Sequence, residues 1–417
     1  MATRSPIAGI ALVAWVAACL AGAPAALADW PQFDPGVQVG ALRQPEINEA
    51  SGLAGSRANP GVLWVHNDSG DTPRAFAIDE QGQMLGTYSI LGASAVDWED
   101  MAVGPGPTPG QQYLYLGDIG DNLALRGSVL PPIAVYRVPE PEVSLGQTPS
   151  VFGLAGAEAV TLTYPDGPRD AETLIVDPLT GDLYVVSKRE SLSRVYRVAA
   201  DDLVHGATVT MEFKCELPWG GATGGDVSPD GQWVVVRGYS NASVWTRPAG
   251  GALWEAFGTS PVDAPLVSEP QGESIAFDAD GRGYYTVSEG TYQPIYHFAM
   301  ADPILGDANA DGWVDGGDYS IWADNYQATG VPPYSGGGWE FGNFNDDTVV
   351  DGADYTLWAD NYGSTGLAAG GYGTGGIIPE PATLSLLGLG ALALIRRRQS
   401  FAAAAAGWVA FAAGDRS

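Results

Sequence analysis

The stretch GDANADGWVDGGD, which begins at Gly306, spaces side-chain oxygens as a cation-binding loop requires. Counted from Asp307, oxygens fall at positions 1, 3, 5, 9 and 12: Asp307, Asn309, Asp311, Asp315 and Asp318. Trp313 offers a backbone carbonyl at position 7, and Gly312 sits at the sharp turn of position 6. Hard oxygen donors at alternating positions suit Ca²⁺, and without a cation that many acids would repel one another. The pattern returns in GNFNDDTVVDGAD, where Asn343, Asn345, Asp347, Val349, Asp351 and Asp354 take the same places. Asn at position 1 and Thr348 at position 6 predict a weaker second site. Each loop runs into the same helix start, DYSIWADNY or DYTLWADNY, whose aromatics recur at helical spacing.

A second set of acids recurs upstream. Glu49, Glu99, Glu172, Asp226 and Glu273 each open a short strand-like run, EASGLAGS, EDMAVGP, ETLIVDP, GDVSPDG and ESIAFDADG. Asp68, Asp118, Lys188, Arg237 and Glu289 end the β-prone runs that follow. Carboxylates gathered at one place either hold a cation or have pKa values raised by one another. Three chemistries stay open for them: turn caps and hydrogen-bond partners between repeats, a Ca²⁺ or ligand site, or hydrolysis. Only three histidines are present, His66, His205 and His297, with no GxSxG and no His/Cys cluster for a transition metal.

The elements that must position these residues are strands. From about Pro35 to Met300 a strand-turn-strand unit recurs at roughly 50 residues, punctuated by DEQGQ, DPLTGD, SPDGQ and DADGR, with a longer gap between Glu99 and Glu172. Radially repeated four-stranded units of this length predict a mainly β, five-bladed β-propeller. A six-bladed ring stays open because the long gap has room for a degenerate unit. The last repeat lacks a fourth strand, and GVQVGALR near the N-terminus is expected to supply it and close the ring.

Composition bounds the rest. A net charge of −30, with 57 Gly and 30 Pro, describes a turn-rich acidic chain that repels phosphate backbones, so nucleic acid is not an expected partner. Arg4, an apolar run and Ala26-Leu27-Ala28 read as a signal peptide over 1–28. Its removal would take Cys19 and leave Cys215 alone, so no internal disulfide is expected. The propeller is expected over 29–302, the loop pair over 303–366, a Gly-rich linker over 367–378 and an unexplained Ala-rich tail over 399–417.

The duplicated loop-helix over 303–366 resembles the type I dockerin module, a small α-helical, EF-hand-like domain. That resemblance implies two Ca²⁺ ions and a cohesin-like protein partner, in systems that handle polysaccharide. Pro379-Glu380-Pro381, ATLSLLGLGALALI and Arg396-Arg397-Arg398 resemble the PEP-CTERM sorting signal over 379–398. It implies a transmembrane helix before processing, exosortase and the export machinery as partners, and display on the outer surface or in the extracellular matrix of a Gram-negative-type bacterium. NDSGD, DWEDMA, GDIGDN and VYRV resemble secreted bacterial propellers, with a looser likeness to esterase-like phytases. A phytase-like site would draw on Lys188, Arg189, Arg237 and His66 for phosphate. The preferred expectation is a non-catalytic binding or scaffolding protein. The alternative is a hydrolase of polysaccharide or phosphate ester that uses the channel acids, with a further Ca²⁺ site at the channel also open.

Overall fold

Strands that pack on both faces need apolar or small residues throughout rather than alternation, and the first strand of each repeat has this character. Ala50–Gly55, Trp98–Pro105, Ala171–Val176, Gly224–Val227 and Gly272–Phe277 are buried along nearly their whole length. In the computed structural model, which describes residues 31–301, 304–309, 312–331, 338–345 and 347–364, these five strands stand side by side around one axis. The chain divides into two compact units, one spanning Pro31–Asp302 and the other containing the segment from Pro303 onward.

The first unit is a β-propeller of five sheets. Each inner strand pairs antiparallel with the next strand of its own blade, and the blades pack face to face through five separate apolar clusters. Trp64, Tyr88, Trp98 and Leu114 fill the first interface. Tyr115, Val185 and Tyr196 fill the second, and Tyr184, Val234 and Trp245 the third. Val244, Phe277 and Tyr284 fill the fourth, and Leu63, Phe76 and Tyr285 close the circle between the last blade and the first. Where inner strands approach closest there is no room for a side chain: a Cβ on Gly224 would lie 2.4 Å from the Glu273 carbonyl oxygen.

Ring closure follows the sequence expectation. Val37–Ala41 lies antiparallel to Pro294–Ala299 as the outer strand of the last blade. No sixth blade hides in the long gap. Val151–Leu154 runs parallel to Met84–Ile90 as a fifth strand on the first blade. The run TVTMEFKCEL divides at buried Met211 into two short strands. Thr208–Thr210 joins the second blade, whereas Glu212–Glu216 joins the third.

Inside the ring a buried carboxyl ties three blades. Asp100 Oδ1 accepts the N–H of Met101 at 2.8 Å, and Oδ2 accepts those of Leu174 at 2.9 Å and Gly225 at 3.2 Å. Losing this acceptor would strand three buried donors, at about 1–3 kcal/mol each before relaxation. Asp100→Ala is therefore expected to lower unfolding stability by about 3 kcal/mol or more, read from the denaturant midpoint. A shift below about 1 kcal/mol would show that the blades do not depend on it.

Candidate functional site

One end of the channel is lined by acids that reach it in pairs. The second and third blades enter their inner strands as Asp-x-Glu, Asp97-Trp98-Glu99 and Asp170-Ala171-Glu172. Alternation along a strand puts both carboxylates of a pair on one side, and the residue between them is buried in each case, Trp98 and Ala171. A β-bulge follows in both strands. The structure forms two clusters from these pairs, Asp68/Asp97/Glu99 and Glu99/Asp170/Glu172, with carboxylate oxygens within 4.8 Å of one another in each. Like charges about 5 Å apart repel by about 3 kcal/mol even at an effective dielectric near 20, so counter-charges decide the state of the site.

One cluster has them. The Lys188 ammonium bonds Glu172 and donates to the Tyr239 hydroxyl at 2.9 Å, which in turn donates to Glu273 at 2.9 Å. Arg189 pairs with Asp170. Arg126 pairs with Asp118 at 2.9 Å, and Asp118 also accepts the Asp97 N–H at 2.9 Å. Asp68, Asp97 and Glu99 have no ion pair among the described residues. Burial, reinforced by Glu172 and Asp68, pushes the Glu99 carboxyl well above its ordinary range. Burial likewise raises Asp68 to about 6 and Glu172 to about 8, the latter against the pull of Lys188. Burial with Glu273 alongside pushes Glu289 to about 9.

The expected five acids do not all meet here. Glu99, Glu172 and Glu273 occupy equivalent bulge positions. Glu49 is exposed on the rim, and Ser51 stands at that register position in the first blade. In the fourth blade the ladder begins at Gly224, and Thr223, whose N–H reaches the Arg237 carbonyl at 2.8 Å, takes the corresponding place. Asp226 therefore lies three residues further along, roughly 10 Å down the channel. It accepts the Phe277 N–H at 2.9 Å, beside Arg57, which donates to the Val227 and Asp278 carbonyls. Arg237 is fully buried, 2.9 Å from Glu269, and donates to the Ser274 carbonyl. His66 is enclosed against Trp98. Neither is placed to receive phosphate at the mouth. Asp97, Asp170 and Tyr239 were not singled out from sequence, although the repeated Asp-x-Glu was legible there.

The second unit carries the loop pair on two helices, Gly316–Asn325 and Gly352–Asn361. Asp315 and Asp351 are their N-caps, and Asp318 and Asp354 complete a capping box in each. Asp318 Oδ1 also accepts the Ala308 N–H at 2.8 Å, as Asp354 Oδ1 accepts that of Phe344 at 2.8 Å. Asp307 takes the Gly312 N–H at 2.9 Å. In the second loop Asn343 donates to the Asp347 carbonyl, Asn345 Oδ1 accepts the Asp347 N–H, and Asp347 accepts that of Val349. Trp313 is exposed at position 7 of the first loop. Asp311 lies outside the described residues. Asp307, Asp318, Asn343 and Asp354 are all buried, and their all-oxygen donor set fits a hard cation. The halves clasp reciprocally: Trp322 donates its indole N–H to the Asp351 carbonyl and Trp358 to that of Asp315, both at 2.8 Å.

A five-bladed β-propeller with an acid-lined mouth is thus joined in one chain to a paired loop-helix unit. Residues 378–399 match the PEP-CTERM protein-sorting motif, which marks the chain as exported, handled by exosortase machinery and sorted to the cell surface of a Gram-negative-type bacterium. No curated protein matches. Among solved structures, the chain is similar to Kuenenia stuttgartiensis hydrazine synthase at 13% identity and TM-score 0.33, over 63% of this chain and 80% of that one. It is also similar to a putative 6-phosphogluconolactonase from Bacteroides uniformis at 14% identity and TM-score 0.30, over 62% and 68%. Scores this low leave the blade count to rest on the chain's own sheets. No helix among the described residues is long and apolar enough to cross a membrane. The signal peptide expected over 1–28 and the helix expected over 379–398 lie outside those residues.

The raised carboxyls set a pH dependence. Between about 4.5 and about 9 the folded chain holds a proton on Glu289 that the unfolded chain has released, so its contribution falls as pH rises through that window. In EDTA the melting temperature is expected to drop from pH 6 to pH 9, and Glu289→Gln to flatten the drop. A melting temperature that climbs over this range would contradict the burial of these acids.

Proposed function

We propose that this is an exported binding or scaffolding protein of the cell surface. The propeller presents a ligand face, and a dockerin-like, calcium-dependent module provides attachment to a cohesin-like protein, in a setting of extracellular polysaccharide. The observation that carries the reading is the reciprocal tryptophan clasp. Each helix holds the position-9 carbonyl of the other loop, so the two loops are organised as one unit. Val314 and Val350, at position 8 of each loop, and Phe344 are buried between the helices, and burial of the loop acids favours a metal that folds the module around itself.

Asp307, Asn309, Asp311, Asp315 and Asp318, with the Trp313 carbonyl, would hold the first ion. Asn343, Asn345, Asp347, Asp351 and Asp354, with the Val349 carbonyl, would hold a weaker second one. Stripping the full chain with EDTA is expected to open 303–366 to limited proteolysis while 31–301 stays resistant, and excess calcium to restore protection. Asp318→Ala is expected to leave the segment cleavable even in calcium. Equal protection with and without metal would sink the calcium module.

A second reading, hydrolysis at the mouth, draws on Glu289, whose raised carboxyl beside Glu273 has the form of an acid–base pair. A panel of polysaccharides and phosphate esters separates the two. Turnover that Glu289→Gln reduces at least a hundredfold, with folding intact, would establish the enzyme; no turnover on any substrate supports binding.

A further inference from the structure

We propose that the propeller mouth is a calcium site of its own, with one ion held between the carboxylates of Asp68, Asp97 and Glu99. The two acid clusters share Glu99 but differ in charge balance. Glu172 and Asp170 already have Lys188 and Arg189 as partners. In the other cluster Asp68 accepts the N–H of its neighbour Ser69, and the Arg126 guanidinium, whose charge acts on Asp97, is bound to Asp118 and to the carbonyls of Gly120 and Pro132. Three carboxylates remain there without a cation.

Glu99 points to a ligand independently of that count. It is 2% exposed, and its backbone carbonyl accepts from the Ser51 hydroxyl, yet no donor among the described residues reaches its carboxylate. A buried carboxylate is ordinarily satisfied by hydrogen bonds or a paired charge. Here its oxygen lies within 4.8 Å of oxygens from Asp68 and Asp97, where one ion would bind all three.

The donor chemistry selects the ion. Every donor is a carboxylate oxygen, with no imidazole or thiolate in the cluster, which favours a hard cation over zinc or copper. Three carboxylates from two segments on neighbouring blades, each able to bind through one or two oxygens, suit the irregular and crowded shell of calcium. Magnesium instead keeps most of its waters and takes one or two carboxylates. Asp68 and Asp97 are half-buried, which leaves the outer side of the ion to water or to an oxygen of a bound ligand. The site belongs to the propeller unit and stands whether or not the loop pair binds calcium.

The test is crystallographic and stoichiometric, on the full chain. Crystals grown in saturating calcium are expected to show an anomalous peak among Asp68, Asp97 and Glu99, separate from any peaks in the loops. After equilibrium dialysis, Glu99→Gln and Asp68→Asn are each expected to retain one calcium equivalent fewer than the wild type. Should the buried Glu99→Gln fail to fold, half-buried Asp68→Asn carries the comparison. An empty mouth at saturating calcium, or variants that retain the wild-type number of equivalents, overturns the proposal. Filled loops with an empty mouth would overturn this site alone, and the reverse would overturn the calcium module alone.

Discussion

The propeller is organised around a carboxyl that water does not reach. Asp100 sits on the inner strand of the second blade and accepts N–H groups from the third and fourth as well as its own. Burial raises its pKa well above the ordinary range, so the low-dielectric setting opposes its charge while the three donors favour it. Further along, Asp226 and Arg57 repeat the device with the fourth, fifth and first blades. Inner strands in a ring have no room for a conventional core, as the Gly224–Glu273 approach shows. Hydrogen-bonded side chains across the axis take its place.

That axis makes an acidic mouth possible. The bulges at the strand entrances turn Glu99, Glu172 and Glu273 out of the ladder, where Asp97 and Asp170 join two of them. The lower acids serve cohesion, and of the upper ones Glu172, Asp170 and Glu273 have partners while the Glu99 carboxylate has none among the described residues. The difference is one of satisfaction, since Asp100 and Asp226 accept backbone donors that Glu99 lacks.

The repeat, the blade number and the closing strand were legible because turns and β-prone runs recur with a period, and because the last repeat visibly lacks a strand. The Asp-x-Glu pairs were equally legible in DWED and RDAET. Register was not. Glu49 and Asp226 look like members of the same series, but Glu49 precedes the bulge position of its blade, Ser51, by two residues, and Asp226 follows Thr223 by three. Arg237 reads as a surface cation until its partner Glu269, remote in sequence, is seen beside it. Partner choice across blades is a tertiary property that local pattern does not carry. The same holds for Val151–Leu154, whose parallel pairing on an earlier blade no local rule anticipates.

Closure decides how such a ring behaves as a whole. Cys215 is a free thiol, so no covalent bond within the described residues holds the first blade to the last. The join is the ladder from Val37↔His297 to Ala41↔Pro294, between the first and last strands of the unit. A contact that distant costs loop entropy that grows only slowly with length, but it cannot form until the last blade exists. The five inter-blade clusters each depend on a neighbour, and the fifth depends on that join. The ring is therefore complete only when its whole sequence has been delivered, whereas the three carboxylates proposed for a cation come from neighbouring early blades, Asp68 from the first and Asp97 and Glu99 from the second.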